Sequence, residues 1–547
     1  MKQYSLGIDF GSLSGRAVLL DLKTGEETAT AVCEYAHAVM SETLPDGTKL
    51  GDNWALQHPQ DYLDVLRFAV PDVMHKASVS PDQIVGVGVD FTASTVLPVK
   101  NDGTPLCLLK EFEHEPHAYV KMWKHHAAQS YADRINEIAV DYDSSMLSLF
   151  GDRVSSEWLI PKVMETLDQA PAVYEAMDHF VEAADWIVWK LCGNLVRNAC
   201  LSGYKSLWNK KRGYPSEEFF SLLDPRLRHF IDEKLSGPVL PSGVCAGTIT
   251  EDAAVMTGLA VGTPISVAGA DAHSAIPGCG IVEAGHLLIV VGTSACHMLM
   301  DTEEKAVPGI CGVVEDGMLP GFVGYEAGQS CMGDHFEWFQ KACMPSSVVE
   351  EAEAIGVSPL ALMSEKAKKL KPGESGLLAL DFWNGNRSVL DNGDLSGMLL
   401  GMTLDTKPEE IYRALVEATG FGTRVIVEQF REYGVPLNKI TLCGGIPHKN
   451  PFLVQVYADI LGMPLFIAPT LQAGARGSAI YGAVAAGVIS PEEGVRKLGS
   501  AGADVVVHPK RENTVAYDAL YKEYRRLYEY FGMGENPVMM TLKKLKK

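Results

Sequence analysis

The sequence predicts an α/β protein built from two related domains that face one ligand across a cleft. Three observations predict it. The chain has 547 residues, enough for two or more domains that each bury a core. Two strand–turn–strand units with Gly- and hydroxyl-bearing tips recur far apart in it, over 4–21 and 286–300. Between them, Gly269-Ala270-Asp271-Ala272-His273 sets one acid where a strand pattern gives way to a helix pattern. Ligand sites favour the junction between domains, and such a cleft can close on what it binds.

Hydrophobic residues make up 47% and charged residues 21%, the balance of an ordinary globular chain. A net charge of -22 argues against broad binding to nucleic acid or an anionic membrane. It leaves room for an anionic ligand held by backbone amides and a few local cations. The eleven cysteines are scattered, with no Cys-x-x-Cys pair and no zinc-site spacing, which predicts reduced thiols and a cytoplasmic protein. Met1 to Ser5 run straight into a strand pattern, so no signal peptide is expected, and no apolar run reaches membrane-spanning length. The basic tail, Leu542 to Lys547, reads as a solvated, frayed end.

In chain order, Tyr4 to Phe10 predicts a strand, Gly11-Ser12-Leu13-Ser14-Gly15 a turn, and Arg16 to Asp21 the return strand. Such a tip can offer backbone amides and hydroxyls to one phosphate, with Arg16 adding positive charge. Asp9, just before the tip, can hold a hydrated Mg2+. Ile84 to Asp90 is a buried-strand pattern that ends at Phe91-Thr92-Ala93-Ser94-Thr95. Trp123-Lys124-His125-His126 lies in a polar, aromatic segment. Trp123 either stacks on a ligand or packs in the core. Adjacent histidines on a helix point to different sides, so no metal site is expected at His125 and His126. Trp158 to Leu191 reads as largely helical, and Gly203 to Trp208 as a compact loop around Lys205.

Pro264 to Ala268 is strand-like, and a short helix is expected over Ala272 to Gly278. Asp271 between them is either a helix cap or a proton acceptor held at a strand end by a rigid scaffold. The second hairpin follows: His286 to Val291, a turn at Gly292-Thr293-Ser294-Ala295, and Cys296 to Met300. Gly324-Tyr325-Glu326-Ala327-Gly328-Gln329 reads as a loop facing a polar ligand, and Lys407 to Tyr433 as a long amphipathic helix. The strand Lys439 to Cys443 leads into a Gly-rich loop, Gly444 to Asn450, and a helix over Pro451 to Leu461. That order suits a nucleotide, although it is neither the dinucleotide GxGxxG nor a Walker A sequence. Gly477 to Gly487 is a helix of small residues suited to close packing on neighbouring backbone.

Taken together, these segments resemble the FGGY carbohydrate kinases, relatives of actin and the Hsp70 ATPases. The marks are Gly7-Ile8-Asp9-Phe10-Gly11-Ser12, Val291-Gly292-Thr293-Ser294, Gly269-x-Asp271, and Gly444-Gly445 with Asn450, Gln455, Ala458 and Asp459. Within the family, Asp90 to Thr95, Trp123 to Gln129, Gly203-Tyr204-Lys205 and Gly324 to Ser330 are most similar to members acting on L-ribulose. One departure is Leu13, where many members carry a hydroxyl residue.

The resemblance implies two ribonuclease-H-like α/β domains, 1–283 and 284–547, with the active site between them. It implies that ATP is bound by Gly11, Ser12, Ser14 and Arg16, by Gly292, Thr293 and Ser294, and by Gly444, Gly445 and Asn450, with Mg2+ near Asp9. It implies a sugar site of Ala93, Lys205, Asp271 and Glu326, with Trp123 alongside, and Asp271 as the base for phosphoryl transfer to O5. The alternatives are another ketopentose or polyol (D-xylulose, D-ribulose, ribitol) and a nucleotide-dependent regulator without transfer. A homodimer is one option for assembly.

Overall fold

The structure is a computed structural model that describes residues 2–499 and 505–546. Two seven-stranded sheets organise it. The first is built from β1 (Tyr4–Phe10), β2 (Ser14–Asp21), β3 (Glu27–Glu34), β4 (Ile84–Phe91), β5 (Cys245–Thr248), β6 (Pro264–Ser266) and β7 (Gly269–Ala270). Its order is β5-β6-β4-β1-β2-β3, with β7 also on β4. The second comprises β8 (His286–Val291), β9 (Ala295–Asp301), β10 (Gly312–Glu315), β11 (Val323–Gln329), β12 (Lys439–Cys443), β13 (Leu465–Ile467) and β14 (Val505–Val507). Its order is β10-β11-β9-β8-β12-β13-β14.

The two sheets share one plan. Three antiparallel strands (β1-β2-β3; β8-β9-β11) are extended by two parallel ones (β4 and β6; β12 and β13). This is the duplicated α/β arrangement expected from the paired hairpins. The parallel strands are near-continuous apolar runs because helices cover them, as β4 (IVGVGVDF) illustrates.

The helices that matter for the site are α1 (Leu159–Gln169), α2 (Ala199–Lys205), α3 (Asp271–Gly278), α4 (Pro408–Glu432), α5 (Pro451–Leu461) and α6 (Ala473–Ala485). Although α6 comes late in the chain, it lies on the first sheet. A Cβ on Gly7 would fall 1.8 Å from the Ala475 carbonyl oxygen, one on Gly88 1.9 Å from that of Ser478, and one on Gly86 2.0 Å from that of Gly482. Gly477 packs equally hard on α3, 1.7 Å from the Ser274 oxygen by the same measure. The helix of small residues therefore does what its composition predicts. It carries Ala479 and Ile480 into the core of the first sheet, and the helix Pro491–Leu498 adds Val495 and Leu498.

Several local expectations need correction. Gly203 to Lys205 is the end of helix α2, not a loop, and Gly324 to Gln329 is the buried strand β11. Both stretches are Gly-rich for tertiary reasons: a Cβ on Gly203 would meet Val314 at 2.3 Å, and one on Gly324 the Tyr204 hydroxyl at 2.4 Å. The loop after β12 contains a helical turn, Gly445–Lys449. The span 158–191 is interrupted by the strand His179–Glu182. His125 and His126 sit in turns ahead of the helix Gln129–Tyr142, and His125 is buried against Glu165, with Nε2 2.9 Å from Oε2. Helix α3 begins at Asp271 rather than Ala272. The basic tail is helical over Val538–Leu545; Lys547 lies outside the described residues.

Candidate active site

Three acids meet at the carboxyl ends of parallel strands, where α/β sheets gather their ligands. Asp9 near the end of β1 is in register with Asp90 on β4, and Asp90 is in register with Gly269 on β7. Two residues on, Asp271 opens α3, where its Oδ1 accepts the Ala272 amide at 2.6 Å. Asp90 is fully buried; Oδ2 accepts the Ser478 hydroxyl of α6 at 2.5 Å, and its carboxyl also lies within hydrogen-bonding reach of the Asp9 carboxyl. The nearby cation is Arg16, opposite Asp9 in the hairpin, with Nε 3.4 Å from Oδ2.

Clustering acids away from water favours their protonated forms. Burial pushes Asp9 up, against the pull of Arg16. Burial, then the Asp9 carboxylate, pushes Asp90 well up. Burial, and again Asp9, raises Asp271 to about 6. A carboxyl near 6 is half-ionised close to neutrality and well matched to taking a proton from an alcohol.

Beside the acids, an ion pair joins helix α2 to the second sheet. Lys205 at the end of α2 donates to both Glu326 oxygens on β11 at 2.9 Å, and both residues are buried. His273 Nε2 lies 3.4 Å from Glu326 Oε2, and the Lys205 ammonium is 5.9 Å from the Trp158 ring centre. Burial alone would raise Glu326, yet Lys205 and His273 hold it far below the usual carboxylate range. Glu326 in turn holds Lys205 above its ordinary value despite burial. A second long-range contact, Arg387 Nη2 to Glu157 Oε1 at 3.3 Å between two loops, flanks it.

The first hairpin tip is a built loop. The Gly11 amide donates to the Ser14 carbonyl at 2.9 Å, Gln57 Nε2 donates to the Ser12 carbonyl at 2.8 Å, and Trp123 Nε1 donates to Ser12 Oγ at 3.0 Å. Half-buried Trp123 thus braces the phosphate-side loop with its polar edge. Leu13 points outward, 56% exposed. Arg16 Nη1 also reaches Gln472 Oε1 at 3.1 Å, just before α6.

At the second tip, the Gly292 amide donates to the Ser294 carbonyl at 2.9 Å. The Met332 amide donates to the Thr293 carbonyl at 2.8 Å and the Gly333 amide to that of Gly292 at 3.0 Å. Gly292 and Thr293 are exposed at the tip. Gly444 has φ +98°, and a Cβ there would lie 2.4 Å from the Val291 carbonyl oxygen. Only glycine lets this loop touch the hairpin base. Gly445 is exposed beside it. Asn450 is committed inside the fold: it caps α5 through the Leu453 amide at 3.1 Å and donates to the Tyr412 hydroxyl at 2.9 Å.

Ala93, partly exposed, lies in the loop that follows β4, three residues beyond Asp90. Asp90, Glu157, His273 and Arg387 were not singled out as site residues from sequence. For Asp90 a signal existed: Gly7-Ile8-Asp9-Phe10 and Gly88-Val89-Asp90-Phe91 are the same tetrapeptide pattern on adjacent parallel strands.

A duplicated α/β fold with glycine-tipped hairpins facing an acid cluster defines a two-lobed phosphotransferase of the ATP-cleft type. The chain belongs to the FGGY family of carbohydrate kinases: the family's N-terminal domain matches residues 4–278 and its C-terminal domain residues 287–486. It is 53% identical over 540 residues to a ribulokinase of Bacillus licheniformis, covering 98% of each chain. It is 50% identical over 552 residues to a ribulokinase of Geobacillus thermodenitrificans, covering 100% of this chain and 98% of that one. Among solved structures it resembles a gluconate kinase from Lactobacillus acidophilus, with a TM-score of 0.82 at 16% identity over 98% of this chain and 99% of the other.

Proposed function

We propose that this chain transfers the terminal phosphoryl group of ATP to ribulose, with L-ribulose as the substrate and O5 as the acceptor. The observation that carries the reading is full-length identity near one residue in two to relatives named ribulokinase, in a chain whose Asp271 stands beside the Lys205–Glu326 pair. Sugar hydroxyls would meet Lys205, Glu326, Asp271 and the Ala93 loop, with Trp123 holding the loop next to them. Asp271 accepts the hydroxyl proton as the sugar oxygen bonds to the γ-phosphorus and the bond to ADP breaks. The transition state is loose, so alignment and charge neutralisation supply most of the acceleration.

The phosphates would lie between the tips Gly11–Ser14 and Gly292–Ser294, with Arg16 supplying charge. The adenine would lie against Gly444 and Gly445, and Asn450 would act by holding that loop. The acid cluster fits Mg2+: Asp9 and Asp90, in register on adjacent strands, set two carboxyl groups side by side next to the first hairpin tip. Among the described residues no three acid, imidazole or thiol groups form a ready cage. Mg2+ is normally held by one or two carboxylates plus phosphates and water, so none is needed. Bound with ATP, the ion would neutralise phosphate charge; Asp9, with Asp90 beside it, would hold it. The reading keeps the cytoplasmic setting expected from the scattered thiols.

The test is ADP release with Mg2+-ATP across L-ribulose, D-ribulose, D-xylulose, L-xylulose, ribitol and glycerol. Highest kcat/KM with L-ribulose is expected. A different preferred acceptor would reassign the substrate, and ADP release indifferent to every sugar would overturn the kinase reading.

A further inference from the structure

Lys162, on α1, is fully buried, yet its ammonium binds no substrate-facing carboxylate. Instead it donates to two backbone carbonyls, Ser94 at 2.6 Å and Met122 at 2.9 Å. Those carbonyls belong to the two segments that flank the proposed sugar position. Ser94 follows Ala93; Met122 precedes Trp123, whose indole N–H binds Ser12 Oγ in the first phosphate tip.

The Ala93 loop needs such a tie. Ser94 has φ +54°, a left-handed conformation that a residue with a Cβ adopts only when its surroundings impose it. The loop's ends are held independently: the Thr92 amide donates to the Phe10 carbonyl at 3.0 Å and the Ala183 amide to the Thr95 carbonyl at 2.7 Å. Its middle is held by Lys162. The lysine is itself fixed from behind, because Lys121 Nζ reaches the Lys162 carbonyl at 3.2 Å, Glu165 Oε2 at 2.6 Å and Thr166 Oγ1 at 2.7 Å. Burying an ammonium is costly, and an apolar side chain would fill the same volume without that cost. What the apolar side chain could not do is hold two carbonyls from different segments at once.

We propose that Lys162 is a positioning residue for the sugar: it locks the Ala93 loop to the Trp123 turn and so sets the sugar site against the first phosphate tip. The inference rests on the ribulose-kinase reading of the same site. It predicts that losing the clamp weakens sugar binding much more than ATP binding.

The experiment uses the full chain with L-ribulose and Mg2+-ATP, measuring kcat, both KM values, and ATP affinity by calorimetry. Lys162→Met is expected to raise the sugar KM about tenfold or more, since small misplacements of a binding group carry such costs. The ATP KM and calorimetric affinity should stay within about twofold, the pattern of a lost sugar contact rather than a damaged protein. Lys162→Arg, which keeps donors at the site, should recover part of the loss. A parallel rise in both KM values, no rise in either, or no recovery with arginine while the protein remains folded would overturn the proposal. If Lys162→Met does not fold, Lys162→Gln, whose shorter side chain cannot reach both carbonyls, takes its place in the comparison with Lys162→Arg. Absence of sugar-dependent ADP release in the unmodified chain would instead sink the functional reading on which the inference stands.

Discussion

As the proposed base, Asp271 would work only when ionised, and its surroundings oppose ionisation. With the carboxyl raised to about 6 by burial and Asp9, kcat/KM should fall as pH drops through that value and level off above it. Magnesium bound near Asp9 would lower the midpoint, so a pH–rate profile with its acid limb well above 6 would speak against Asp271. The stability sign is opposite. A carboxyl whose folded pKa lies above its ordinary value of 3.8 costs the fold stability as pH rises from 3.8 through 6. Asp271→Asn should therefore cut kcat by about 10²–10⁴ while melting no lower than the parent at pH 8; unchanged turnover would remove Asp271 from the mechanism. Lys205→Ala should raise the sugar KM far more than the ATP KM, and equal effects would make the Lys205–Glu326 pair a strut between α2 and the second sheet. Asp271 was legible because a strand end, small residues and one acid are local signals. The partnership of Lys205 with Glu326 spans 121 positions, and only the fold could supply it.

The elements that deceived local reading are those whose glycines answer to distant neighbours. α2 and β11 looked like loops because Gly203, Gly324 and Gly328 weaken both helix and strand propensity. They are ordered because Tyr204, Val314 and Arg387 fill the space that side chains would take. The hairpins, α4 and α5 were legible for the opposite reason, since alternation, a first-turn proline and an end glycine agree with one another. Helix α6 yields a direct test. Gly7→Ala or Gly88→Ala puts a methyl group within 2 Å of a helix carbonyl that has no freedom to retreat. Each should destabilise by about 1–3 kcal/mol or more, seen as a lower melting temperature, whereas Gly393→Ala at an open surface turn, where no positive φ and no close neighbour stands in the way, should cost far less. Equal losses would mean that the close contact carries no special weight.

At the scale of the molecule, long-range contacts are of two kinds. Lys205–Glu326 and Glu157–Arg387 join segments far apart in the chain with charges that could repartner on the proposed sugar. α6 is fixed to the first sheet and α3 by close-packed backbone that cannot. On the proposed function, closure of the cleft on sugar would move the Lys205 side and leave the packing around α6 in place. A fragment of residues 1–283 should melt without cooperativity in calorimetry, because one face of its sheet lacks a cover. Tethering 473–499 to it should restore a sharp transition; a sharp transition in the shorter fragment alone would refute this.

The packing of α6 also sets a timetable. A ribosome releases the first sheet early, yet the helix that seals it emerges only after nearly the whole second sheet has been made. The nascent chain must carry an unfinished lobe through most of its own synthesis, exposing the strands around Gly7 and Gly88 to chaperones or to neighbouring chains. The acid cluster is complete only when Ser478 arrives to meet Asp90. A stalled or truncated product is thus left with the proposed active site unfinished.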